Sequence, residues 1–507
     1  MAVMIYLIQS KTRWYNVASD EDRHVNLNLA YLRAAKILRS EGIEFQIVDF
    51  NNRGGTDEAA FVRQSDRGIF LISVDMMSVG HAYDLTKKIK NACRDNVVVW
   101  TSMGIGFLLP FSLIYREVVM GDEMIDYVFN GDETNLPGFI RALKFKGDVS
   151  SIPGVGYRGN YGKLYFTPLA RDQAQYVEED YDAVCMDDYL WRWGKEILGA
   201  RYVKRQKIIP VSTGVGCAYS CSFCINSNRD WKMRFKLKPE QMLLAQLDML
   251  IEKYSPDVIW FQDDNFFINK KRATSALRLL NNHGVKWCGQ ARADYFDDSY
   301  ITDDYFREYI APGVLWFGVG FETFSDRLRK LCGKDVTKEQ FDKACELCAN
   351  YDVPFNPAFI YGLPCQTREE LKSDVEGLIA YRGRYPNMTF SYQAWRPYPG
   401  TLEFERLRER GKTLPFPTVL SEWNRLESDG LSPILVNGGI EDLVPLNELL
   451  IKACCREGSV VTRMILKFLY PLLLYGFKRE ISSINTAAKL LVKANMLKKR
   501  VVSRKSV

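Results

Sequence analysis

The chain has 507 residues, 47% hydrophobic and 26% charged, ordinary globular values that exclude a disordered or fibrous chain and suggest two or three domains. The net charge of +6 belongs to the tail, because residues 456–507 carry twelve Lys/Arg against Glu457 and Glu480. The remainder is mildly acidic, so nothing in the charge supports nucleic-acid binding by the body.

Residues 3–8 read as a short buried strand, and residues 28–41 have helical spacing ended by Gly42. Strands follow at 44–50, 68–74, 96–101 and 126–130, with a helix over 83–92. Strand–helix alternation with short connections predicts a Rossmann-like, doubly wound parallel sheet over 1–145. Ligands of such sheets sit beyond the strand C-termini, here near Gln9 and Ser10, Ser73 to Met77, Ser102 to Gly106, and Gly131 to Glu133. Residues 146–200 are turn-rich and polar, with a hairpin-like 158–163 and an acidic 178–182, and read as a linker plus a small β excursion.

Over 201–410 six strands (208–211, 258–262, 287–292, 316–321, 354–361, 389–395) alternate with helices such as 239–254 and 337–351. This pattern alone does not separate a partial barrel from an open sheet. Residues 411–507 read as a helical, basic region. Its longest apolar run, 464–477, is interrupted by Lys467 and Pro471 and falls short of the ~18 residues of a spanning helix. The cationic stretch 487–500 suits either docking on the core or peripheral contact with an anionic inner-membrane face. Twelve cysteines without a secretory signal lead to the expectation of a reducing cytoplasm.

Cys217, Cys221 and Cys224 form a C-x3-C-x2-C run on a loop leaving the strand at 208–211. Three thiolates so spaced can hold three irons of a [4Fe–4S] cluster and leave the fourth open to a small molecule. A structural zinc would need a fourth ligand, and the chain has only three histidines, His24, His81 and His283. Gly214 and Gly216 let the backbone turn around an inorganic core.

With the aromatic Phe223 before the last cysteine, this run resembles the radical S-adenosylmethionine enzymes, a resemblance that implies a place for Phe223 at the cofactor. The resemblance implies that the open iron takes the methionine moiety of S-adenosylmethionine and that one electron cleaves the sulfonium to a 5′-deoxyadenosyl radical. It further implies a partial (β/α)6 barrel, a small-molecule substrate and an electron donor of flavodoxin or ferredoxin type. Downstream pieces follow in the family's order. Asp263 and Asp264 end a strand where the family contacts the methionine ammonium, the competing reading being an N-cap for the helix near Asn269. Arg292 offers a fork for a carboxylate, and Glu322, in Gly-x-Glu-Thr-like context, takes the family's ribose or ammonium position; an Arg292–Glu322 salt bridge is the alternative. Tyr361-Gly-Leu-Pro364 and Arg396-Pro-Tyr-Pro-Gly-Thr401 match the family's turn and last-strand elements. Cys345 and Cys348 lie on an apolar helical stripe and read as core rather than a second cluster, as do Cys454 and Cys455.

The N-terminal half is similar to the cobalamin-binding domain that precedes many such cores, on Asn28-Leu-Ala-Tyr-Leu32, Ile72-Ser-Val-Asp75 and Gly131-Asp-Glu133. That similarity implies cobalamin near Ser73, Gly104, Gly131 and Glu133. The loop Ser102-Met-Gly-Ile-Gly106 departs from the family's Gly-Gly-x-His, and the Asp-x-His-x-x-Gly signature is absent, so a sheet that binds nothing or presents substrate competes. With cobalamin, the implied activity is methyl transfer to an unactivated carbon. Cyclases or rearrangement enzymes of the same architecture, and a non-catalytic cobalamin or redox sensor, are the other readings.

Overall fold

Runs of β-branched and aromatic residues separated by amphipathic helices dictate two parallel sheets, and the computed structural model contains both. It describes residues 3–11, 27–51, 57–64, 67–76, 78–103, 111–169, 176–189, 206–227, 235–410, 417–423, 443–455, 460–479, 484 and 486–488. In the first sheet β1 (Met4–Gln9), β2 (Phe45–Asp49), β3 (Gly68–Ser73), β4 (Val97–Thr101) and β5 (Tyr127–Phe129) are parallel in the order β2-β1-β3-β4-β5. Alternate residues face opposite layers. Ile5 and Leu7 pack with Tyr31, Ala34 and Phe139 on one side, while Tyr6 and Ile8 pack with Phe61, Val79 and Leu85 on the other. The order reverses between β1 and β3, which places the ligand crevice of a doubly wound sheet beyond Gln9 and Ser73.

The stretch read as a linker is partly sheet. β6 (Val155–Arg158) pairs antiparallel with β5, and β7 (Leu164–Phe166) pairs antiparallel with β6, so the hairpin extends the N-terminal sheet at its edge. Tyr161 and Gly162 make its turn at positive φ. Residues 176–189 lie between the two sheets, where Tyr181 and Met186 are buried against Leu29 and Leu32 of the first and Ile209 of the second.

The second sheet is all parallel: β8 (Ile208–Val211), β11 (Val258–Phe261), β12 (Lys286–Arg292), β13 (Val314–Glu322), β14 (Phe355–Tyr361) and β15 (Ser391–Ala394). Its strands neighbour one another in chain order. Sequential order with right-handed crossovers puts every connecting helix on one side, the arrangement of a partial (β/α)6 barrel rather than of a doubly wound sheet. The two faces of the strands accordingly differ. Ile209, Ile259, Phe261, Trp287 and Phe317 join the large core under the helices, whereas Ile208, Trp260, Cys288 and Trp316 form a separate cluster on the concave side. Gln290 and Arg292 share parity with Cys288, and Gly318 and Gly320 with Trp316.

The helices Val444–Cys455 and Val460–Arg479 dock on the barrel's helical layer through Leu446, Leu450, Leu466 and Phe477. Cys345 and Cys348 are fully buried in that layer beside Phe341, as core side chains; the side chains of Cys454 and Cys455 lie outside the described set, as do residues 489–507. No helix among the described residues is long and apolar enough to cross a membrane.

Candidate active site at the barrel mouth

The cysteine loop leaves β8 and is pinched at its base by the two-residue strands β9 (Gly214–Val215) and β10 (Lys236–Leu237). Gly214 sits where a Cβ would meet the Lys236 carbonyl at 2.8 Å, and Gly216 turns at φ +74°. Thr213 anchors the base. Its N–H donates to both carboxylate oxygens of Asp263 at 3.0 Å, its Oγ1 donates to Asp263 Oδ1 at 2.8 Å, and its carbonyl accepts from Arg272 Nη1 and the Lys238 N–H. Burial pushes the Asp263 carboxyl up to about 6, while the Thr213 bonds pull it down. Asp263 therefore holds the loop. Helix Lys270–Asn282 is capped by Asn269 itself.

The neighbouring carboxylate is the open one. Asp264 is surrounded by protein yet solvent-accessible, as a side chain lining a cleft is, and it accepts from Asn226 Nδ2 at 3.1 Å. It lies within electrostatic reach of Cys217 and Cys224. Asn265 donates to Tyr295 Oη at 2.7 Å, and its Oδ1 is buried without a protein partner. Tyr295 Oη is 3.3 Å from Tyr219 Oη. Over the Tyr219 ring lies the Arg292 guanidinium, 3.7 Å from the centroid, and its Nη1 approaches Cys221 Sγ at 3.7 Å. Asp294 takes Arg292 Nε at 3.0 Å.

Glu322 ends β13 and pairs with Lys334, not Arg292, so the salt-bridge alternative holds for neither partner as read from sequence. Gly320 makes room for this pair, since a Cβ there would meet Lys334 Nζ at 2.7 Å. The space at Gly320 thus goes to a lysine. Glu322 occupies φ +79° next to a register shift in β13. The following turn is tied by Asp374, which accepts from Thr323 Oγ1, the Phe324 N–H and Gln366 Nε2.

Cys221 is buried, and Cys217 and Cys224 are partly so. All three lie in mutual electrostatic range, and burial raises the Cys217 thiol and pushes Cys224 up to about 12. Among the described residues no three His, Cys, Asp or Glu side chains converge tightly enough for a single metal ion. A four-iron cube spreads its sulfur ligands wider than one ion does. Three thiols on one glycine-hinged loop, with a guanidinium at the central sulfur, fit it. Phe223, expected at the cofactor, instead packs against Cys332, Leu363, Trp395 and Leu407 behind the loop.

At the N-terminal sheet's crevice the expected ligand positions are bound to the protein itself. Ser73 Oγ donates to the Met103 carbonyl at 3.2 Å, and the Ser73 carbonyl accepts from Ser10 Oγ at 2.5 Å. Gly131 is dictated by the β6 turn, because a Cβ would meet the Pro153 carbonyl at 2.7 Å. Glu133 pairs with Arg33 at 2.6 Å, and Arg33 reaches Glu179 at 3.2 Å. Gly104 lies outside the described residues. His81 accepts from the Lys11 N–H and contacts Glu58, so both ring nitrogens are engaged. The crevice is not remote from the cysteine loop: Ile225 and Tyr398 pack against the core containing Phe111 and Tyr115.

Sequence reasoning missed Tyr219, Tyr295, Thr213 and Lys334. Tyr219 was findable, since it stands inside the cysteine run; the others meet the site only through tertiary contacts.

The Radical SAM superfamily model matches residues 211–377. An uncharacterized methyltransferase of Pyrococcus horikoshii is 26% identical over 391 residues, covering 75% of this chain and 77% of the relative. The anaerobic magnesium-protoporphyrin IX monomethyl ester cyclase of Rubrivivax gelatinosus is 22% identical, over 60% of this chain and 53% of the relative. Among solved structures, the cobalamin-dependent S-adenosylmethionine radical enzyme OxsB with aqua-cobalamin and S-adenosylmethionine bound superposes with a TM-score of 0.62 at 16% identity, over 100% of this chain and 75% of that one. Residues 211–377, which carry the cysteine loop and the mouth just described, thus match the radical SAM superfamily, and the chain as a whole shares its fold with OxsB.

Proposed function

We propose that this protein is a cobalamin-dependent radical S-adenosylmethionine enzyme that methylates an unactivated carbon of a small-molecule substrate. The observation that carries the reading is the constellation of Cys217, Cys221 and Cys224 with Arg292, Asp264 and Asn265 at the concave mouth, next to the crevice of a doubly wound sheet. When bound, the cluster and S-adenosylmethionine supply the substrate radical and cobalamin supplies the methyl carrier. The three thiolates hold the cluster. Arg292, held by Asp294 through Nε and Nη2 and stacked on Tyr219, places a permanent cation against Cys221. Asp264 presents a carboxylate suited to an ammonium, and the unpaired Asn265 Oδ1 an acceptor. Cobalamin would lie beyond β1 and β3, over a floor in which Gln9, Ser10, Asn28 and Ser73 are buried and bonded to one another and to the Met103 carbonyl.

The test is anaerobic reconstitution with iron, sulfide and cobalamin, then incubation with S-adenosylmethionine and a strong reductant. Methyl transfer yields S-adenosylhomocysteine beside 5′-deoxyadenosine. The second reading, ring formation or rearrangement without methylation, is favoured by the cyclase relative and yields 5′-deoxyadenosine alone. Neither product would leave only a sensor.

A further inference from the structure

We propose that the outer face of helix Val460–Arg479 is a docking surface that lays this protein on an anionic lipid bilayer.

The helix is apolar on two opposite sides, a composition that ordinarily goes with full burial. Here only one side is covered. Leu466, Leu473 and Phe477 enter the core shared with the barrel's helices, and Leu469, Tyr470 and Leu474 pack against it. On the other side Met464, Phe468, Pro471, Leu472 and Tyr475 recur at spacings that make one exposed stripe, with Ile465 beside it. Phe468 is 85% exposed and Met464 68%. Of the eleven large apolar side chains exposed among the described residues, five stand on this helix, so the surface is a patch and not a scatter of single residues.

The charge beside the stripe selects the occupant. Lys467 and Lys478 are exposed three residues after Met464 and Tyr475, which sets both on one border of the stripe, and Arg479 is exposed at its end. The helix carries no Asp or Glu. Residues 489–507, outside the described residues, add seven Lys/Arg and no acid to the sequence. Apolar side chains bordered by lysines, whose stems carry the charge past them to headgroup level, suit a helix lying in a bilayer interface. Each cation held near an anionic surface adds to the attraction. The same face set against its copy in a second chain would bring like charges together, which opposes a dimer. The helix is not long and apolar enough to cross a membrane, so it lies along the surface. The stripe belongs to the barrel's helical side and the cysteine loop to its mouth, so the inference stands apart from the radical chemistry.

The full chain is compared with Phe468→Ser/Leu472→Ser, with Lys467→Gln/Lys478→Gln, and with Phe145→Ser, an exposed apolar control on helix Leu136–Phe145. All the substituted side chains are exposed, and circular dichroism melts should coincide. The probes are vesicles of phosphatidylcholine alone and of phosphatidylcholine with phosphatidylglycerol, separated by flotation at low and high salt. The unsubstituted chain should float with the anionic vesicles, more weakly with the neutral ones, and less at high salt. Phe468→Ser/Leu472→Ser should weaken partitioning to the anionic vesicles about tenfold. Lys467→Gln/Lys478→Gln should lower binding to the anionic vesicles towards the neutral level, and Phe145→Ser should change nothing. An unsubstituted chain that stays below the anionic vesicles, or equal flotation of Phe468→Ser/Leu472→Ser, overturns the docking surface. A dimer seen by light scattering without vesicles and dispersed by Phe468→Ser/Leu472→Ser assigns the face to a second copy and overturns it too.

Discussion

Asp263 is the residue on which the cysteine loop depends most. It is buried, it takes three hydrogen bonds from Thr213, and Thr213 stands four residues before Cys217. Asp263→Ala should lower stability by about 2 kcal/mol, the cost of leaving buried donors without a charged acceptor, and should reduce iron retention. Asp263→Asn keeps an acceptor and should lose less of both. Urea titration and iron analysis read the effect. Full stability in Asp263→Ala with weakened S-adenosylmethionine binding would return Asp263 to the ligand role read from sequence. The distinction between Asp263 and Asp264 was not legible, because adjacent residues leaving a strand diverge by parity, and only the β8–β11 register decides which one meets Thr213. Arg292 and Glu322 were legible because each ends a strand, and the cysteines because their spacing marks the loop beyond β8. Their partners were not: Lys334 and Asp294 reach Glu322 and Arg292 through loop conformation. Glu322 itself is held in the left-handed region, uncommon for a side chain other than glycine and typical of positions over-determined by their surroundings.

At the scale of elements, strands could be placed from sequence to within a residue or two, as at 208–211, where all four residues are buried, and at 355–361, where burial alternates along the strand. The hairpin over 155–166 was read as a small β excursion in a linker, but its place at the edge of the first sheet was not legible, because strands of four and three residues are too short to show alternation and take their pairing from β5. The acidic run at 178–182 was equally opaque, yet it supplies the joint. Glu179 and Lys238 pair at 2.9 Å with no side-chain exposure, Gln246 Nε2 bonds the same carboxylate at 2.8 Å, and Arg33 continues the chain of charge to Glu133. Burial alone would raise the Glu179 carboxyl, but Lys238 and Arg33 hold it below the usual range. Its contribution is therefore present at neutral pH and lost as pH falls through that depressed range. Glu179→Ala should cost about 3–5 kcal/mol by stranding a buried lysine, while Glu179→Leu/Lys238→Met should recover much of the loss. Equal denaturation midpoints for the single and double variants would show that no such coupling exists.

Over the whole molecule, two parallel sheets of different winding bring their C-terminal edges to one region. The doubly wound sheet offers a crevice at its β1/β3 reversal, and the sequential sheet offers a concave mouth. Packing of Leu29 and Leu32 against the barrel, and of Ile225 and Tyr398 against the first sheet's core, joins them. The fold class was readable because both windings follow from local alternation, whereas the facing of the two edges arises from contacts far apart in sequence.

The decisive measurement is electron paramagnetic resonance of the anaerobically reconstituted, reduced protein before and after S-adenosylmethionine is added. A site with an unligated iron predicts about four irons per chain and a spectrum that changes when the nucleoside coordinates, both lost in Cys217→Ala/Cys221→Ala/Cys224→Ala. A signal indifferent to S-adenosylmethionine, or a brown chromophore that survives the triple replacement, would contradict it.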